Sequence, residues 1–332
     1  MIRISIVGTG SMGQVHAAAY AGIEGAVVAA VVDHEPDRAA ALAATTGATP
    51  YAHLEAMLAG TEVDVVDCCL PTPLHRPTVE WAAAHGLQVI CEKPLALSVE
   101  DGRDMIAACR AAGVHLLLGQ VVRFRPQYQR MAEALRAGQV GTPVSATLSR
   151  QSFYPTGFEY WYRDNLRSGG IFVDLMIHDI DWTLLQFGPA ERVYARLVSN
   201  AAPRPFAQAM ATIRHRSGVM SQITATWGHP VPFITAVEVA GTGGLLQSHS
   251  SDVQPLRLLT PTATEERGAV ALPDLSTDNP YRIELAHFME VIAGQAEPQV
   301  RPEEALAALQ VALAARSSAA TGRAVSVEEV VV

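Results

Sequence analysis

Ile2-Arg3-Ile4-Ser5-Ile6-Val7-Gly8-Thr9-Gly10-Ser11-Met12-Gly13 is the stretch that decides the fold. Ile2, Ile4 and Ile6 open a predicted strand that ends at Gly8, and a helix is predicted from Ser11 to about Ala21. The glycines therefore fit G-x-G-x-x-G between a strand and a helix, the context that makes the spacing informative. Gly8 permits a tight turn, Gly10 lets a pyrophosphate approach the backbone, and Gly13 allows close helix–strand packing. The start of the helix, at Ser11 and Met12, offers N–H groups and a positive dipole end to phosphates. Asp33 follows the β-branched run Val27–Val32 at the spacing where a carboxylate bonds the adenosine ribose. That carboxylate repels a 2′-phosphate, so NAD is expected over NADP; His34 borders the same position, and Arg38, close in sequence, would soften the preference. The competing reading is an ordinary strand–turn–helix with Asp33 as a loop residue.

Outward from this stretch, strand and helix signals alternate through the first 120 residues. Pro36–Thr46 predicts an Ala-rich helix stopped by Gly47, Val63–Leu70 an apolar strand, and Pro77–His85 a helix ending at Gly86. Val89–Cys91 is a short strand, Val99–Ala112 a helix closed by Gly113, and His115–Leu118 a further strand. Near-continuous apolar strands between helices imply a doubly wound parallel sheet covered on both faces. After Gln120 the rhythm changes. A helix at Pro126–Arg136 precedes alternating Val144, Ala146 and Leu148, and a Gly-Gly leads into a helix near Asp174–Phe187. Strand-like runs follow at Arg192–Ser199, Ala207–His215, Val219–Trp227 and Ile234–Ala240, then helices beginning at Pro280 and Pro302. The expected architecture is α/β: a dinucleotide-binding domain over 1–121, then an α+β domain over 122–332 built on a large, open, mostly antiparallel sheet.

The bulk composition is consistent with two globular domains. The chain has 332 residues, 49% hydrophobic and 17% charged, which argues against disorder. A net charge of −9 with no basic block argues against a nucleic-acid partner. Cys68, Cys69, Cys91 and Cys109 form no C-x-x-C pair, so buried thiols in a reducing compartment are expected, with neither disulfide nor metal. The opening residues enter a strand at once, without the h-region of a signal peptide, and no apolar run reaches a membrane span. A cytoplasmic protein without a membrane partner is the expectation.

Two further segments carry candidate chemistry. Cys91-Glu92-Lys93-Pro94 follows the fourth predicted strand, and ligands of open α/β sheets lie outside the carboxyl ends of strands. In Ser168-Gly169-Gly170-Ile171-Phe172-Val173-Asp174-Leu175-Met176-Ile177-His178, Asp174 and His178 stand four apart and share a helix face, continued by Asp181. Alone, Lys93 reads as a solvated charge, and the Asp174–His178 pair as a surface ion pair or metal ligands lacking a strong third partner. Arg123 faces the expected cleft as a substrate-oxygen donor or a structural partner. Trp161, Tyr162 and Arg163 follow an aromatic stretch with Tyr154, Phe158 and Tyr160, suited to stacking on a sugar ring or to core packing. His16, on the first helix, is expected to be a packing residue.

With these motifs in this order and spacing, together with the loop Pro71-Thr72-Pro73-Leu74-His75, the chain resembles the glucose–fructose oxidoreductase / inositol 2-dehydrogenase (Gfo/Idh/MocA) family over nearly its whole length. The resemblance implies an NAD-dependent oxidoreductase acting on a secondary alcohol of a sugar, inositol or related polyol. It implies that Lys93 touches the substrate hydroxyl and the nicotinamide ribose, that Asp174 binds and orients substrate, and that His178 is the general acid/base. Pro71, Thr72 and His75 then border the nicotinamide half, with Glu92 beside it, and subunits pair through the second-domain sheet as a homodimer or homotetramer. Family members often place Trp and Arg side by side where this chain inserts Tyr162, which leaves open whether Arg163, like Tyr160, contacts substrate. The chemistry fits independently: histidine titrates near neutrality, and an ammonium stabilises a developing alkoxide. A non-catalytic NAD-binding regulator and an NAD-dependent glycosidase of the same fold are the rival readings.

Overall fold

A computed structural model describes residues 1–156, 158–200, 205–230, 233–252, 256–261, 267–271 and 278–330, without the side chains of 158–160, 258–261 and 267–271. The chain forms two compact units: Met1–Val121 with 158–159 and Asp278–Leu306, and Val122–Thr156 with Tyr160–Thr277 and Ala307–Val332.

The first unit is the doubly wound sheet expected from the alternation. Its elements are β1 (Ile2–Val7), α1 (Ser11–Tyr20), β2 (Ala26–Val32), α2 (Pro36–Thr46), β3 (Thr49–Tyr51), α3 (Leu54–Gly60), β4 (Val65–Cys68), α4 (His75–Ala84), β5 (Gln88–Glu92), α5 (Val99–Ala112) and β6 (Leu116–Gly119). Six parallel strands lie in the order β3-β2-β1-β4-β5-β6. Helices on both faces bury strands that are apolar along their length, as in Val65–Val66 and Leu116–Leu118. Strand order reverses between β1 and β4, so the loops after β1, β4 and β5 converge on the crevice where such sheets bind ligands. β3 and α3 have no counterpart in the sequence reading. β3 is a three-residue edge strand carrying Pro50, tolerated only at an edge, and α3 buries Met57 alone among its seven residues.

A late segment returns to this unit. The helix Pro280–Ile292 packs on α1, with the Tyr281 ring 6.1 Å from His16 and Arg282 against Gly22. The division into two continuous stretches does not contain this return. Its cause is the buried face of that helix, Glu284, Leu285 and Phe288, which needs a partner surface.

The second unit contains α6 (Pro126–Arg136), β7 (Pro143–Ser152), α7 (Asn165–Ser168), α8 (Ile177–Phe187), β8 (Ala190–Asn200), β9 (Phe206–His215), β10 (Met220–Trp227), β11 (Ile234–Gly241), β12 (Gly244–His249), β13 (Leu256–Pro261) and β14 (Arg267–Ala271). α9 is the helix Pro280–Ile292 already placed; α10 (Pro302–Thr321) and β15 (Val325–Ser326) close the chain. Among the described residues nine strands pair in the order β14-β13-β12-β11-β7-β10-β9-β8-β15. Among the described strands of this sheet only β7 and β10 pair in parallel, so it is mostly antiparallel, as expected. Alternation buries Ile213, Ile223, Val237 and Leu148 on one face, while Tyr194, Met210 and Met220 stay exposed. No helix among the described residues is long and apolar enough to cross a membrane.

Two buried ion pairs pin α8. Arg150 on β7 holds Asp179 through Nε and Nη2 at 2.9 and 2.7 Å, and Arg123 holds Asp181 at 2.8 and 2.6 Å. Breaking a buried pair leaves an uncompensated charge, which costs about 3–5 kcal/mol. Arg150→Met should lower unfolding free energy in denaturant by that amount. Arg150→Met with Asp179→Leu should recover most of it, and a single variant as stable as wild type would contradict the pairing.

Candidate active site

The glycine loop separates three reasons for lacking a side chain. Gly8 has φ +95°, and a Cβ there would lie 2.9 Å from the Cys69 carbonyl oxygen. A Cβ on Gly13 would lie 2.0 Å from the Gly8 carbonyl oxygen, so α1 rests on β1 only because Gly13 has none. Gly10 differs: its φ of −66° suits any residue, and a Cβ would meet nothing nearer than Arg38 Nη2 at 3.8 Å. The protein itself does not demand glycine at 10. A phosphate seated on the backbone does, and the first-turn N–H groups at Ser11, Met12 and Gly13 are those a helix leaves without intrahelical acceptors. The loop fits the dinucleotide. Ser11 is exposed and Met12 half-buried.

Asp33 ends the next strand over. Thr9 donates to its Oδ2 from N and Oγ1, at 2.9 and 2.6 Å, and Glu35 N–H donates to Oδ1 at 3.0 Å. Burial alone would raise its pKa, but the Thr9 and Glu35 hydrogen bonds and the nearby Arg38 charge outweigh burial and hold it below the usual carboxylate range. It is thus an ionised, aimed acceptor. His34 Nδ1 lies 3.2 Å from Oδ1 and Arg38 Nη2 3.9 Å from Oδ2, which brings all three expected residues together.

Lys93 leaves the end of β5 half-buried. Glu92 is buried and folds back so that Oε2 accepts the Lys93 N–H at 3.0 Å. On the other side, His75 lies 3.0 Å by Nδ1 from the Pro94 carbonyl and 2.9 Å by Nε2 from the Leu70 carbonyl. Burial pushes the His75 pKa down against the pull of these carbonyls. His75, 1% exposed, therefore braces two loops instead of lining the ligand surface. Thr72 is likewise buried, and Pro71 is half-buried. The sequence held one more signal here: Lys93 is the chain's single lysine beside 23 arginines.

The second unit places Asp174 and His178. A π-helical turn, Phe172–Met176, precedes α8, where one continuous α-helix was expected. Such turns cluster at functional sites, and the wider turn sets the direction of Asp174 independently of α8. Its entry is fixed locally: Asp164 caps α7 through Leu166 N–H, Ser168 Oγ accepts from Gly170 N–H, and Gly169 and Gly170 have φ +75° and +70°. Asp174 is buried and His178 half-buried. Asp181, expected to extend their face, accepts from Arg123 Nε and Nη2 at 2.8 and 2.6 Å. Arg163 lines a cavity of about 410 Å³ with Tyr154, Phe172, Trp227 and Arg316. The Tyr160 side chain lies outside the described residues.

His16, expected to be a packing residue, is fully buried and also meets two carboxylates, 2.8 Å from Asp67 Oδ2 and 3.1 Å from Glu92 Oε1. Two sets of potential ligand atoms, Cys68–His75–Cys91 and His16–Asp67–Cys69, each lie within 4.8 Å. Burial holds the Cys69 and Cys91 thiols well above their ordinary pKa, so these sulfurs carry protons. The cysteines are free.

Residues 2–120 match the description "Oxidoreductase family, NAD-binding Rossmann fold", and 128–247 match the GFO/IDH/MocA C-terminal domain. The D-apiose dehydrogenase of Paraburkholderia graminis is 31% identical over 98% of this chain and 89% of its own. The chain belongs to the GFO/IDH/MocA oxidoreductase family. The 1,5-anhydro-D-fructose reductase of Ensifer adhaerens is 29% identical over 92% of each chain. The WlbA dehydrogenase of Bordetella pertussis, solved with NADH and UDP-GlcNAcA, is 27% identical and superposes with a TM-score of 0.81 over 98% of this chain and 97% of that one. The family and the fit of the glycine loop make this an NAD-binding oxidoreductase.

Gly10 and Gly13 should behave oppositely on substitution. Gly10→Ala should keep stability within about 1 kcal/mol yet weaken NADH binding by fluorescence titration at least about tenfold. Gly13→Ala should cost about 1–3 kcal/mol of stability as α1 lifts from β1. Gly10→Ala binding NADH as wild type does would refute the phosphate placement.

Proposed function

We propose that the enzyme transfers hydride between NAD(H) and a secondary alcohol of a cyclic sugar or polyol, with Lys93, Asp174 and His178 as its chemical residues. The observation that carries the reading is the lone lysine at the carboxyl end of β5. Twenty-three other cationic positions are arginine. Only lysine offers a compact ammonium that shifts its proton affinity readily, whereas guanidinium stays charged and planar.

Bound NAD supplies the hydride acceptor at its nicotinamide. Lys93 polarises the substrate oxygen and stabilises negative charge as the hydroxyl proton leaves. His178 takes that proton, and Asp174 orients the substrate and the histidine. Asp33 favours NAD over a 2′-phosphate. Arg123 acts through Asp181 as a structural partner, while Arg163 faces the sugar. The first unit serves the dinucleotide and the second the substrate. The sugar-converting relatives support the substrate class.

The exposed apolar face at Tyr194, Met210 and Met220 supports pairing of subunits through the second-unit sheet. Mass photometry should give a dimer or tetramer that Met210→Glu dissociates; a wild-type monomer would end that part of the proposal.

Apiose, 1,5-anhydrofructose, xylose and inositols form the substrate panel. On the best of these, His178→Asn and Lys93→Met should each lose about 10²–10⁴ in kcat while retaining NADH binding. Full turnover in either variant would show that the assigned roles are wrong.

A further inference from the structure

We infer that His16 is a positioning residue for Lys93: held as an imidazolium between Asp67 and Glu92, it aims the Glu92 carboxylate at the backbone of the lysine. The inference rests on the reading of Lys93 as the group that polarises substrate.

The geometry sets the charge. His16 is fully buried, with Nδ1 2.8 Å from Asp67 and Nε2 3.1 Å from Glu92. A neutral imidazole has one N–H and would turn a lone pair toward one of these oxygens; only the imidazolium donates to both. Burying two carboxylates is tolerable only with a compensating cation. The other groups facing this point are neutral or acidic. Tyr20 donates to Asp67 at 2.9 Å, and Cys69 Sγ lies 3.4 Å from His16 Nδ1 and 3.6 Å from Asp67 Oδ1. From α9 come the Tyr281 ring and buried Glu284, whose charge is felt at Tyr20. Burial alone would lower the His16 pKa, but Asp67 and its neighbours raise it well above the ordinary value.

Glu92 divides its two oxygens. Oε1 accepts the hydrogen bond from His16 Nε2 at 3.1 Å, and Oε2 accepts the Lys93 N–H at 3.0 Å. His75 grips the next carbonyl, at Pro94. The lysine backbone is thus held from both sides, and the Glu92 hold depends on His16. Without the imidazolium, the buried Glu92 carboxylate loses the donor that holds it and rotates, and the turn carrying Lys93 shifts. A misplacement of about 1 Å costs about 10²-fold in rate.

The single lysine makes the test direct. Reductive ¹³C-methylation labels only Lys93 and the N-terminal amine. In His16→Gln, which keeps volume and one donor but not the charge, the Lys93 signal should move in shift and titration midpoint. In the unlabelled variant, kcat on the best panel substrate should fall about 10–100-fold, with NADH affinity within about threefold. A Lys93 signal identical to wild type overturns the inference whatever the rate does. Should His16→Gln fail to fold, ¹⁵N imidazole spectra of the wild-type protein decide: both His16 nitrogens protonated near neutral pH is the expected result, and a neutral tautomer overturns it. Full turnover by Lys93→Met would defeat the functional reading instead and leave these spectra unaffected.

Discussion

Everything at this site depends on how closely α1 lies on β1. Gly13 has no side chain, and any Cβ there would collide with the carbonyl of Gly8. That contact seats the helix start above the strand end, where its N–H groups meet phosphate. It also decides what the same helix face reaches further on. His16 is one turn beyond Gly13 and Tyr20 one turn beyond His16, and both reach Asp67; His16 also reaches Glu92. One tight contact therefore organises the cofactor turn at one end of α1 and a buried charge cluster along its length.

Much of this was legible in the chain because the signals are local. The G-x-G-x-x-G turn, Asp33 at the next strand end and Lys93 after β5 all follow from period, spacing and strand polarity. What escaped the reading was non-local or irregular. His16 sits on an Ala-rich helix, and its partners lie 51 and 76 residues away, so nothing nearby marks it as charged. His75 looks like a loop residue in sequence, but its ring is buried between backbone carbonyls of two different loops, 3.0 and 2.9 Å away. Periodicity cannot distinguish the π-helical turn at Asp174 from an α-helix over so few residues. The return of Asp278–Leu306 to the first unit is a matter of packing between distant segments. One legible signal concerns composition, not pattern: a lysine retained once where every other cation is arginine.

Buried charge is used twice, in different ways. In the second unit, Arg150–Asp179 and Arg123–Asp181 are matched bidentate pairs that fix α8, the helix bearing His178. In the first unit, one histidine serves two carboxylates, one of which reaches on to the Lys93 backbone. The matched pairs are rigid supports. The shared histidine links a proton count inside the core to the position of a surface-reaching side chain.

The central claim is that position 93 needs the chemistry of an ammonium, not merely a positive charge. Lys93→Arg preserves charge and tests this alone. Stopped-flow measurement of NADH formation in a single turnover should show the hydride-transfer step slowed by about 10²-fold or more with NADH affinity unchanged. A rate equal to wild type would contradict the account.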